Sequence, residues 1–364
     1  MKVLVTGSNG FIAKNLICHL ESAPKIELLK FNRSHDDDVL YNLIDQASII
    51  FHLAGANRPA HDGEFKSDNI DLTRKIVNRL KDTNKKKKII FSSSTQSKEQ
   101  NDYGKSKAEA EILLKKLSKK KNLTTVIYRL TNVFGKWSRP NYNSVVSTFC
   151  FNILNSKKLK INDPETVLKL IYIDDLVANF MQQVDVPLVQ RASTSIKTYK
   201  IKLGELANII YSFKDLTEHG RVGVGLTRAL YSTYISYKEP NQFTSQLIEK
   251  KDARGKFFEV IKTNESGQFS FFTTKAGITR GGHYHHTKTE KFLVVKGRAI
   301  FRFKHMITGE KFSIQVSEDK PQLVETIPGW AHDITNNGTT EMIALLWANE
   351  VFNPLIPDTY TEDL

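Results

Sequence analysis

The 364-residue chain has only two cysteines, Cys18 and Cys150, and no long uninterrupted apolar run. Two isolated cysteines in apolar surroundings exclude a disulfide framework and indicate reduced, buried thiols. Because no stretch of eighteen apolar residues occurs, no membrane span is expected. Glycines and polar residues interrupt the N-terminal apolar stretch, which excludes a secretion signal. The sequence therefore predicts a cytoplasmic protein without a membrane partner.

Basic residues outnumber acidic ones by 53 to 39, which gives a formal net charge of +14. Part of the excess lies in two lysine-rich runs, 85–88 and 115–121. Each run falls where a helix is expected to end, and cations suit the negative end of a helix dipole. We interpret the runs as solvated surface and expect no nucleic-acid partner, since no recognition module accompanies the charge. A positive field still attracts anionic small molecules such as dinucleotides and nucleotide-sugars.

The pattern of apolar residues changes along the chain. Short apolar runs such as "KVLVTG" and "KKIIFSSS" first alternate with helical patterns, which predicts a parallel sheet covered on both faces. From about Asp252 onwards, β-rich runs punctuated by turn residues predict an antiparallel sandwich or barrel. The length suits two domains. We predict an α/β Rossmann-type domain over residues 1–243 and an all-β domain over residues 244–364, with their junction in the polar segment 236–246.

The stretch "VLVTGSNGFIAKNL" indicates a strand, a glycine turn and the start of a helix. Gly7 allows a tight turn, and Gly10 lets the backbone approach a pyrophosphate at the helix N-terminus. After the second predicted strand, a dinucleotide site usually has an acidic residue for the adenosine ribose. Here Asn32 and Arg33 stand instead, and an arginine favours a 2′-phosphate and hence NADPH. The alternative is a surface arginine without a ligand.

A third pattern, "NDYGKSKAEAEILL", places Tyr103 and Lys107 four residues apart at the start of a predicted helix, so that they share one face. The lysine charge is expected to lower the tyrosine pKa, and the phenol can then protonate an alkoxide as hydride arrives. Ser94 ends the preceding predicted strand and can donate a hydrogen bond to a substrate carbonyl. We predict these three residues as the catalytic set.

These patterns resemble the extended short-chain dehydrogenases/reductases that act on nucleotide-sugars, over roughly residues 1–240. The resemblance also rests on "HLAG" at 52–55, "RLTNVFG" and "YIDDL". It implies a cofactor site formed by Gly7, Gly10, Phe11, Ile12, Asn32, Arg33, Leu53, Ala54, Gly55, Tyr103 and Lys107, and a substrate site formed by Ser94, Asn132 and Arg58.

One departure from that family narrows the reaction. Its 4,6-dehydratases place an Asp-Glu pair directly after the catalytic Ser or Thr, whereas Thr95 and Gln96 follow Ser94 here. These residues do not titrate usefully, so dehydration is disfavoured. Simple reduction or 4-epimerisation remains, and the NADPH signal favours reduction.

The stretch "GGHYHHTKTEKFLVVKGR" holds three of the ten histidines within four positions. On a strand, His283 and His285 share one face. Glu290 follows, and the later segment "PGWAHDITNNG" supplies His332. Three imidazoles and a carboxylate suit zinc or another divalent first-row metal. A metal-free catalytic pocket and a cluster without function are the alternatives.

The spacing of these residues resembles the two motifs of the cupins, which implies a jelly-roll domain. Gly297 and Asn336 fill their expected places, whereas Pro328 directly precedes Gly329 rather than standing two residues before it. The segment "DARGKFFEVIKT", 252–263, is similar to the opening of the cupin 3,5-epimerases, which abstract a proton beside a 4-keto group with histidine rather than metal. A zinc-bound carbonyl would acidify the same proton. Tyr284, His286 and Lys291 are equal candidates for the proton-transfer residue.

A reductase of this kind followed by a cupin resembles, along nearly the whole chain, the bifunctional capsular-polysaccharide enzymes of the CapF type. The stretches "AGANRPAHD", "FGKWSRPNYNSVVSTFC" and "LYSTYISY" add to the resemblance. It implies a zinc-containing homodimer whose cupin epimerises C3 of a UDP-4-keto-6-deoxy-N-acetylhexosamine. The reductase then reduces C4 with NADPH, giving a UDP-2-acetamido-2,6-dideoxy-L-talose for UDP-N-acetyl-L-fucosamine synthesis. The alternatives are a reductase whose cupin serves only zinc-stabilised dimerisation, and a redox-dependent regulator that binds nucleotide without turnover.

Overall fold

The computed structural model describes residues 1–59, 63, 65–117, 122–214, 224–246, 249–252, 255–258, 267–350 and 353–364. Residues 1–145 and 167–201 form one compact unit, and residues 146–166 and 202–364 form a second. The predicted division between residues 243 and 244 differs from this grouping and stays a prediction. Every helix in the described part of the chain is too short or too polar to cross a membrane.

The first unit contains a five-stranded parallel sheet followed by a smaller one. The first sheet consists of β1 (Lys2–Thr6), β2 (Glu27–Phe31), β3 (Ile49–His52), β4 (Lys87–Ser94) and β5 (Leu123–Leu130), in the order β2-β1-β3-β4-β5. Its connections contain the helices α1 (Phe11–Glu21), α2 (Asp37–Gln46), α3 (Leu72–Lys81) and α4 (Asp102–Leu117), with a π-helical segment Phe65–Asp71 before α3 and a short 3₁₀ helix Thr95–Lys98 before α4. The second sheet, in the order β6-β7-β8, consists of β6 (Asn132–Phe134), β7 (Val167–Tyr172) and β8 (Tyr199–Lys202). Helix α6 (Ile173–Asp185) follows β7, whereas α5 (Val145–Leu154), which precedes β7 in the chain, belongs to the second unit.

The central strands of the larger sheet are apolar on both faces. Val3, Leu4 and Val5 of β1 are fully buried, as are all the apolar residues of β3. Such continuous burial is typical of a parallel sheet whose crossover helices lie on both sides. The predicted α/β Rossmann-type fold is therefore confirmed. The strand order reverses between β1 and β3, and ligands of such sheets bind at that reversal, beyond the carboxyl ends of the strands.

Two lysines of the first run are not solvated. Lys87 and Lys88 at the start of β4 are buried, with exposures of 3% and 0%. The Lys87 ammonium donates to the backbone carbonyls of Ile44, Asp45 and Ala47 at the end of α2. The Lys88 ammonium donates to those of Gln183 and Val186 at the end of α6. The predicted helix-end cations exist, but as buried caps on distant helices, so the solvated interpretation is wrong for these two residues.

The second unit is dominated by antiparallel strands. Among its described residues, the helices besides α5 are α7 (Leu203–Tyr211), α8 (Leu226–Ile235) and a short 3₁₀ helix, Pro240–Gln242. Its strands are β9 (Thr244–Gln246), β10 (Glu249–Asp252), β11 (Gly255–Phe258), β12 (Gln268–Thr274), β13 (Thr279–Tyr284), β14 (Glu290–Lys296), β15 (Arg298–His305), β16 (Lys311–Ser317), β17 (Gln322–Thr326), β18 (Trp330–Asn336), β19 (Met342–Ala348) and β20 (Tyr360–Thr361). They form two five-stranded sheets, β12-β19-β14-β17-β9 and β16-β15-β18-β13-β20, and a hairpin of β10 and β11.

The predicted all-β cupin fold is confirmed by these two sheets. Asn336 has the structural place that its motif predicts, since its side-chain amide donates to the backbone carbonyls of Thr274 and Thr340 at 2.8 Å each. Gly329 takes a φ of +87°, so the second motif turn uses its glycine. Within the segment 252–263, residues 253–254 and 259–263 lie outside the described residues, so its similarity to the 3,5-epimerases stays a prediction.

Candidate active site and metal centre

The turn after β1 requires glycine. Gly7 has a φ of +67°, and a Cβ built on it would lie 2.7 Å from the Cα of Ala54. The backbone N–H of Gly10 donates to the carbonyl of Gly7 at 2.8 Å, and α1 begins at the next residue, Phe11. The ends of β1 and β3 thus approach more closely than any side chain at position 7 permits, and the N-terminus of α1 faces the crevice between them.

A buried histidine ties these two strand ends together. The Nδ1 of His52 lies 2.9 Å from the hydroxyl of Thr6, and its Nε2 lies 2.8 Å from the hydroxyl of Thr73. The backbone N–H of Ala54 also donates to Thr6 Oγ1 at 3.3 Å. Burial, with a smaller effect of the Lys107 charge, lowers the pKa of His52 to about 3. The imidazole is therefore neutral at physiological pH and holds the segment 53–55 in place.

A cavity of about 710 Å³ opens at the carboxyl ends of these strands. Its volume suits a cofactor or small-molecule site. It brings together nine of the predicted site residues: Gly10, Phe11, Ile12, Leu53, Gly55, Ser94, Tyr103, Lys107 and Asn132.

The three predicted catalytic residues share this cavity, and their contacts define their electrostatics. Lys107 donates to the carbonyl of Ser92 at 3.0 Å, and its Nζ lies 6.0 Å from the Tyr103 ring centroid. Burial lowers the pKa of Lys107 to about 8. Burial raises the pKa of Tyr103, and the hydrogen bond with Ser94 offsets only part of that rise. The expected lowering of the tyrosine pKa by Lys107 is therefore wrong for this structure, because burial dominates.

Five predicted residues do not line the cavity. Gly7 and Ala54 lie behind it, in the close approach described above. The side-chain oxygen of Asn32 accepts hydrogen bonds from the N–H and hydroxyl of Ser34, and Arg33 pairs with Asp68. Arg58 offers its backbone carbonyl to the hydroxyl of Tyr142 at 3.1 Å.

Asn69, in the π-helical segment, is a buried residue against the cavity-lining Gly55, and no sequence pattern predicted it. Its amide donates to Ala56 O at 3.0 Å and to Ser106 Oγ at 2.9 Å. A Cβ built on Gly55 would lie 2.5 Å from Asn69 Oδ1 and 3.1 Å from Lys107 Nζ. Gly55 therefore lies closely against both Asn69 and the predicted catalytic lysine, and a side chain at position 55 would clash with Asn69. No spacing in the sequence links Asn69 to Tyr103 or Lys107.

The loop between β6 and α5 forms another part of the cavity wall. Trp137, Ser138, Arg139, Tyr142, Asn143 and Ser144 all line it. Trp137 takes a φ of +65°, and the Arg139 guanidinium lies 5.4 Å from the centroid of the Tyr142 ring. The family resemblance includes this stretch, but no site residue was predicted in it. Its length and irregular backbone gave no periodicity from which they could be assigned.

The predicted metal ligands converge inside the second unit. His283 lies opposite His332 in the pairing of β13 with β18, and Glu290 begins β14 in the other sheet. Their ligand atoms and one from His285 all lie within 4.8 Å of one another. The Glu290 carboxylate oxygen Oε2 is 3.1 Å from His285 Nε2 and 3.2 Å from His332 Nε2.

The electrostatics of this cluster suit a bound cation. Burial, assisted by the neighbouring histidines, lowers the pKa of His283 to about 3, so its imidazole is neutral. Burial alone would raise the pKa of Glu290, but the imidazoles of His285 and His332 hold it well below its usual value. His332 is 3% exposed, and its Nε2 faces the Glu290 carboxylate inside the cluster. Neutral imidazoles and a carboxylate are the donors that zinc prefers, at separations of about 3.3 Å in a tetrahedral site.

The three candidates for proton transfer in this domain have other contacts. Lys291 follows Glu290 on β14, so the strand alternation points it to the opposite face of the sheet. There it pairs with buried Glu325, which also pairs with Lys238. Tyr284 and His286 pack against Tyr360, with ring centroids 5.4 and 4.7 Å apart respectively.

Two family models match the chain. Residues 3–185 match the NAD dependent epimerase/dehydratase family, and residues 250–360 match the Polysaccharide biosynthesis C-terminal domain. A relative in Pseudomonas aeruginosa, UDP-2-acetamido-2,6-beta-L-arabino-hexul-4-ose reductase, is 48% identical over 99% of this chain and 98% of its own.

Solved structures agree with these matches. The capsular polysaccharide assembling protein CapF from Staphylococcus aureus is 36% identical, with a TM-score of 0.66 over 100% of both chains. UDP-glucuronic acid 4-epimerase from Bacillus cereus, at 18% identity and a TM-score of 0.51, covers 58% of this chain and 83% of its own and shares the fold alone. The chain therefore belongs to the NAD-dependent epimerase/dehydratase family, followed by a polysaccharide biosynthesis C-terminal domain, and it is related along its whole length to CapF and to the P. aeruginosa reductase.

Proposed function

We propose that the protein is an NADPH-dependent 4-ketoreductase of a UDP-2-acetamido-2,6-dideoxy-hexos-4-ulose in capsular or O-antigen polysaccharide synthesis. The observation that carries this proposal is that Ser94, Tyr103 and Lys107 line the same cavity as the glycine turn after β1. The whole-length similarity to a reductase of such a UDP-sugar supports the substrate class. NADPH, when bound, supplies a hydride to C4 of the sugar.

The side chains of the cavity supply the proton and the positioning. A phenol is protonated at neutral pH, and burial raises the pKa of Tyr103 further, so it can donate a proton to the C4 oxygen. The Ser94 hydroxyl, which bonds to that phenol, can orient the same oxygen. The Lys107 ammonium, close to the tyrosine ring, stabilises the phenolate that remains. Asn132 and the loop 137–144 surround the remaining space, where the sugar nucleotide would bind.

We further propose that the cupin inverts C3 of the same 4-keto sugar before reduction, toward UDP-L-PneNAc and UDP-L-FucNAc. His283, His285, Glu290 and His332 would hold zinc, and their buried, converging donor atoms support this. Zinc, when bound, supplies a Lewis acid for the sugar carbonyl, which acidifies the proton on the neighbouring carbon. The resemblance also implies a homodimer in the cytoplasm, and light scattering on the full chain tests the dimer.

A mass spectrum of the product from a UDP-4-keto-N-acetylhexosamine and NADPH tests the reductase. We expect a product two hydrogens heavier than the substrate, formed with equal consumption of NADPH. Binding without turnover would contradict this proposal and favour the nucleotide-binding regulator.

The epimerase step is tested separately in D2O without NADPH. We expect one deuterium to enter at C3 of the sugar. If none enters while reduction proceeds, the cupin has no epimerase activity and the zinc-stabilised dimerisation module becomes the better account.

A further inference from the structure

The last residues of the chain lie against the segment that carries two of the candidate metal ligands. Strand β20 pairs with β13 so that Thr361 lies opposite His283. The N–H of Glu362 donates to the carbonyl of Gly282 at 2.9 Å, which continues this pairing. Strand β20 is therefore the edge strand of the sheet that contains His283 and His332, and His285 directly follows that sheet's β13.

Asp358, just before β20, contacts one ligand directly through its backbone. Its carbonyl oxygen lies 2.6 Å from Nδ1 of His285, which is 73 residues away in the chain. A carbonyl can only accept a hydrogen bond, so Nδ1 must carry the proton and donate it. In a neutral imidazole, Nε2 then keeps its lone pair, and this nitrogen is the one that faces Glu290 at 3.1 Å.

The side chain of Asp358 holds the loop that follows His285. Its carboxylate accepts from three consecutive backbone N–H groups, those of His286, Thr287 and Lys288, at 3.0, 2.9 and 2.8 Å. It also accepts from the Thr287 hydroxyl at 2.8 Å. Together these bonds fix the loop between His285 and Glu290, and so the separation of two ligands.

The backbone conformation of Asp358 makes both contacts available at once. Its φ is +41°, in the left-handed region that residues other than glycine rarely adopt, although aspartate and asparagine do so more readily than most. Strained backbone of this kind persists where surrounding contacts require it, and it is common at functional sites. In this conformation, the backbone carbonyl of Asp358 accepts from the His285 imidazole while its carboxylate accepts from the loop 286–288.

We propose that Asp358 is a positioning residue of the metal centre, holding His285 in the tautomer whose Nε2 faces the metal and fixing the loop to the next ligand. This inference rests on the proposed zinc site and extends it to the C-terminal segment. Partners that orient metal ligands in this way typically contribute about 10- to 100-fold to metal affinity.

Zinc affinity, measured by competition with a chromophoric chelator, tests the proposal on the full-length protein. Asp358→Gly removes the carboxylate but permits the positive φ, and we expect about 10- to 100-fold weaker zinc binding. Asp358→Asn keeps one acceptor oxygen and the same backbone preference, so its loss should be clearly smaller. Asp363→Asn, the same charge change five residues later, should bind zinc as the wild type does.

The tautomer of His285 provides a second readout that a general structural role would not move. In ¹⁵N-histidine NMR of metal-free protein, the wild type should show His285 protonated on Nδ1, and Asp358→Gly should show a mixture. Thermal unfolding establishes that each variant is folded. If Asp358→Gly does not fold, the zinc affinity and the His285 tautomer signal of Asp358→Asn test the proposal instead. An Asp358→Gly protein with wild-type zinc affinity and an unchanged His285 signal overturns the proposal. If the wild-type protein binds no zinc, the metal site itself is wrong. This outcome differs from weaker zinc binding in Asp358→Gly alone, which supports the proposal.

Discussion

The hydroxyl of Thr6 and the Nδ1 of His52 lie 2.9 Å apart, although 46 residues separate them in the chain. This contact joins the ends of β1 and β3 at the point where the strand order reverses, beside the turn that Gly7 makes. Because burial keeps this imidazole neutral, the contact couples the shape of the cofactor crevice to the protonation of one histidine.

That coupling predicts an acid-dependent loss of stability. The pKa of His52 is about 3 in the folded protein against 6.5 as its ordinary value. Between these values the unfolded chain binds a proton that the folded chain does not, so the free energy of unfolding decreases as the pH falls from 6.5 towards 3. The slope contributed is about 1.4 kcal/mol per pH unit at most. Denaturant unfolding at several pH values should show a shallower dependence for His52→Gln than for wild type. An equal pH dependence of the unfolding free energy in both proteins would contradict the assignment of a neutral His52. His305→Gln is the control and should keep the wild-type dependence.

Replacing the phenol should abolish reduction but not cofactor binding. We expect Tyr103→Phe to reduce kcat for substrate-dependent NADPH oxidation by about 10²- to 10⁴-fold, since general acid catalysis typically contributes that much. The Kd for NADPH, measured by fluorescence, should change little. Tyr211→Phe, at a residue 48% exposed, serves as the control and should retain activity. A Tyr103→Phe protein with wild-type kcat would mean that another group delivers the proton.

The buried lysine predicts the alkaline limit of the reductase. Burial lowers the pKa of Lys107 to about 8, so its ammonium is present below that pH and is lost above it. The Tyr103 phenol, whose pKa is raised, stays protonated through the same range. We therefore expect kcat/KM for reduction to fall as the pH rises through about 8. Lys107→Arg, whose side chain stays charged, should lack this inflection in whatever activity it keeps. An inflection near 8 that persists in that variant would assign it to another group.

The pairing of Arg33 with Asp68 predicts a tunable cofactor preference. Arg33 is 77% exposed at the end of β2, and the Asp68 carboxylate occupies its guanidinium. The Asp68 carboxylate competes with a 2′-phosphate for Arg33. Asp68→Asn should therefore raise the NADPH-to-NADH ratio of kcat/KM by about two- to fivefold, which corresponds to the small free energy of an exposed ion pair. Arg33→Ala should lower the ratio by about 10- to 100-fold, because a charge-assisted bond to the 2′-phosphate is lost. Arg79→Ala, which breaks the comparable pair with Asp45, should leave it unchanged. A ratio that is insensitive to Arg33 would refute the assignment of the 2′-phosphate to this residue.

Metal content should depend on the histidine cluster alone. Elemental analysis of wild-type protein should find zinc in the chain, whereas the double variant His283→Ala, His285→Ala should contain almost none, because half of the ligand set is missing. His35→Ala combined with His305→Ala removes the same number of imidazoles outside the cluster and should keep the metal. Equal metal content in all three proteins would place the zinc elsewhere.

Local sequence was sufficient for the elements and for much of the candidate site. The glycine turn, the four-residue spacing of Tyr103 and Lys107, and the alternation of His283 with His285 are short-range patterns, and backbone geometry converts them directly into shared faces. The change from alternating strand and helix patterns to consecutive strand patterns likewise predicted both fold classes.

Tertiary structure alone decided which distant residues complete these sites. Asp68 against Arg33 and Asp358 behind His285 are contacts between residues 35 and 73 positions apart, and they follow from strand order and pairing rather than from any local period. Burial acts in the same way: it raises the pKa of Tyr103 where spacing predicted a decrease, and it turns Lys87 and Lys88 into helix caps. A sequence pattern fixes which side of an element a residue occupies, but desolvation depends on what the rest of the fold packs against that side.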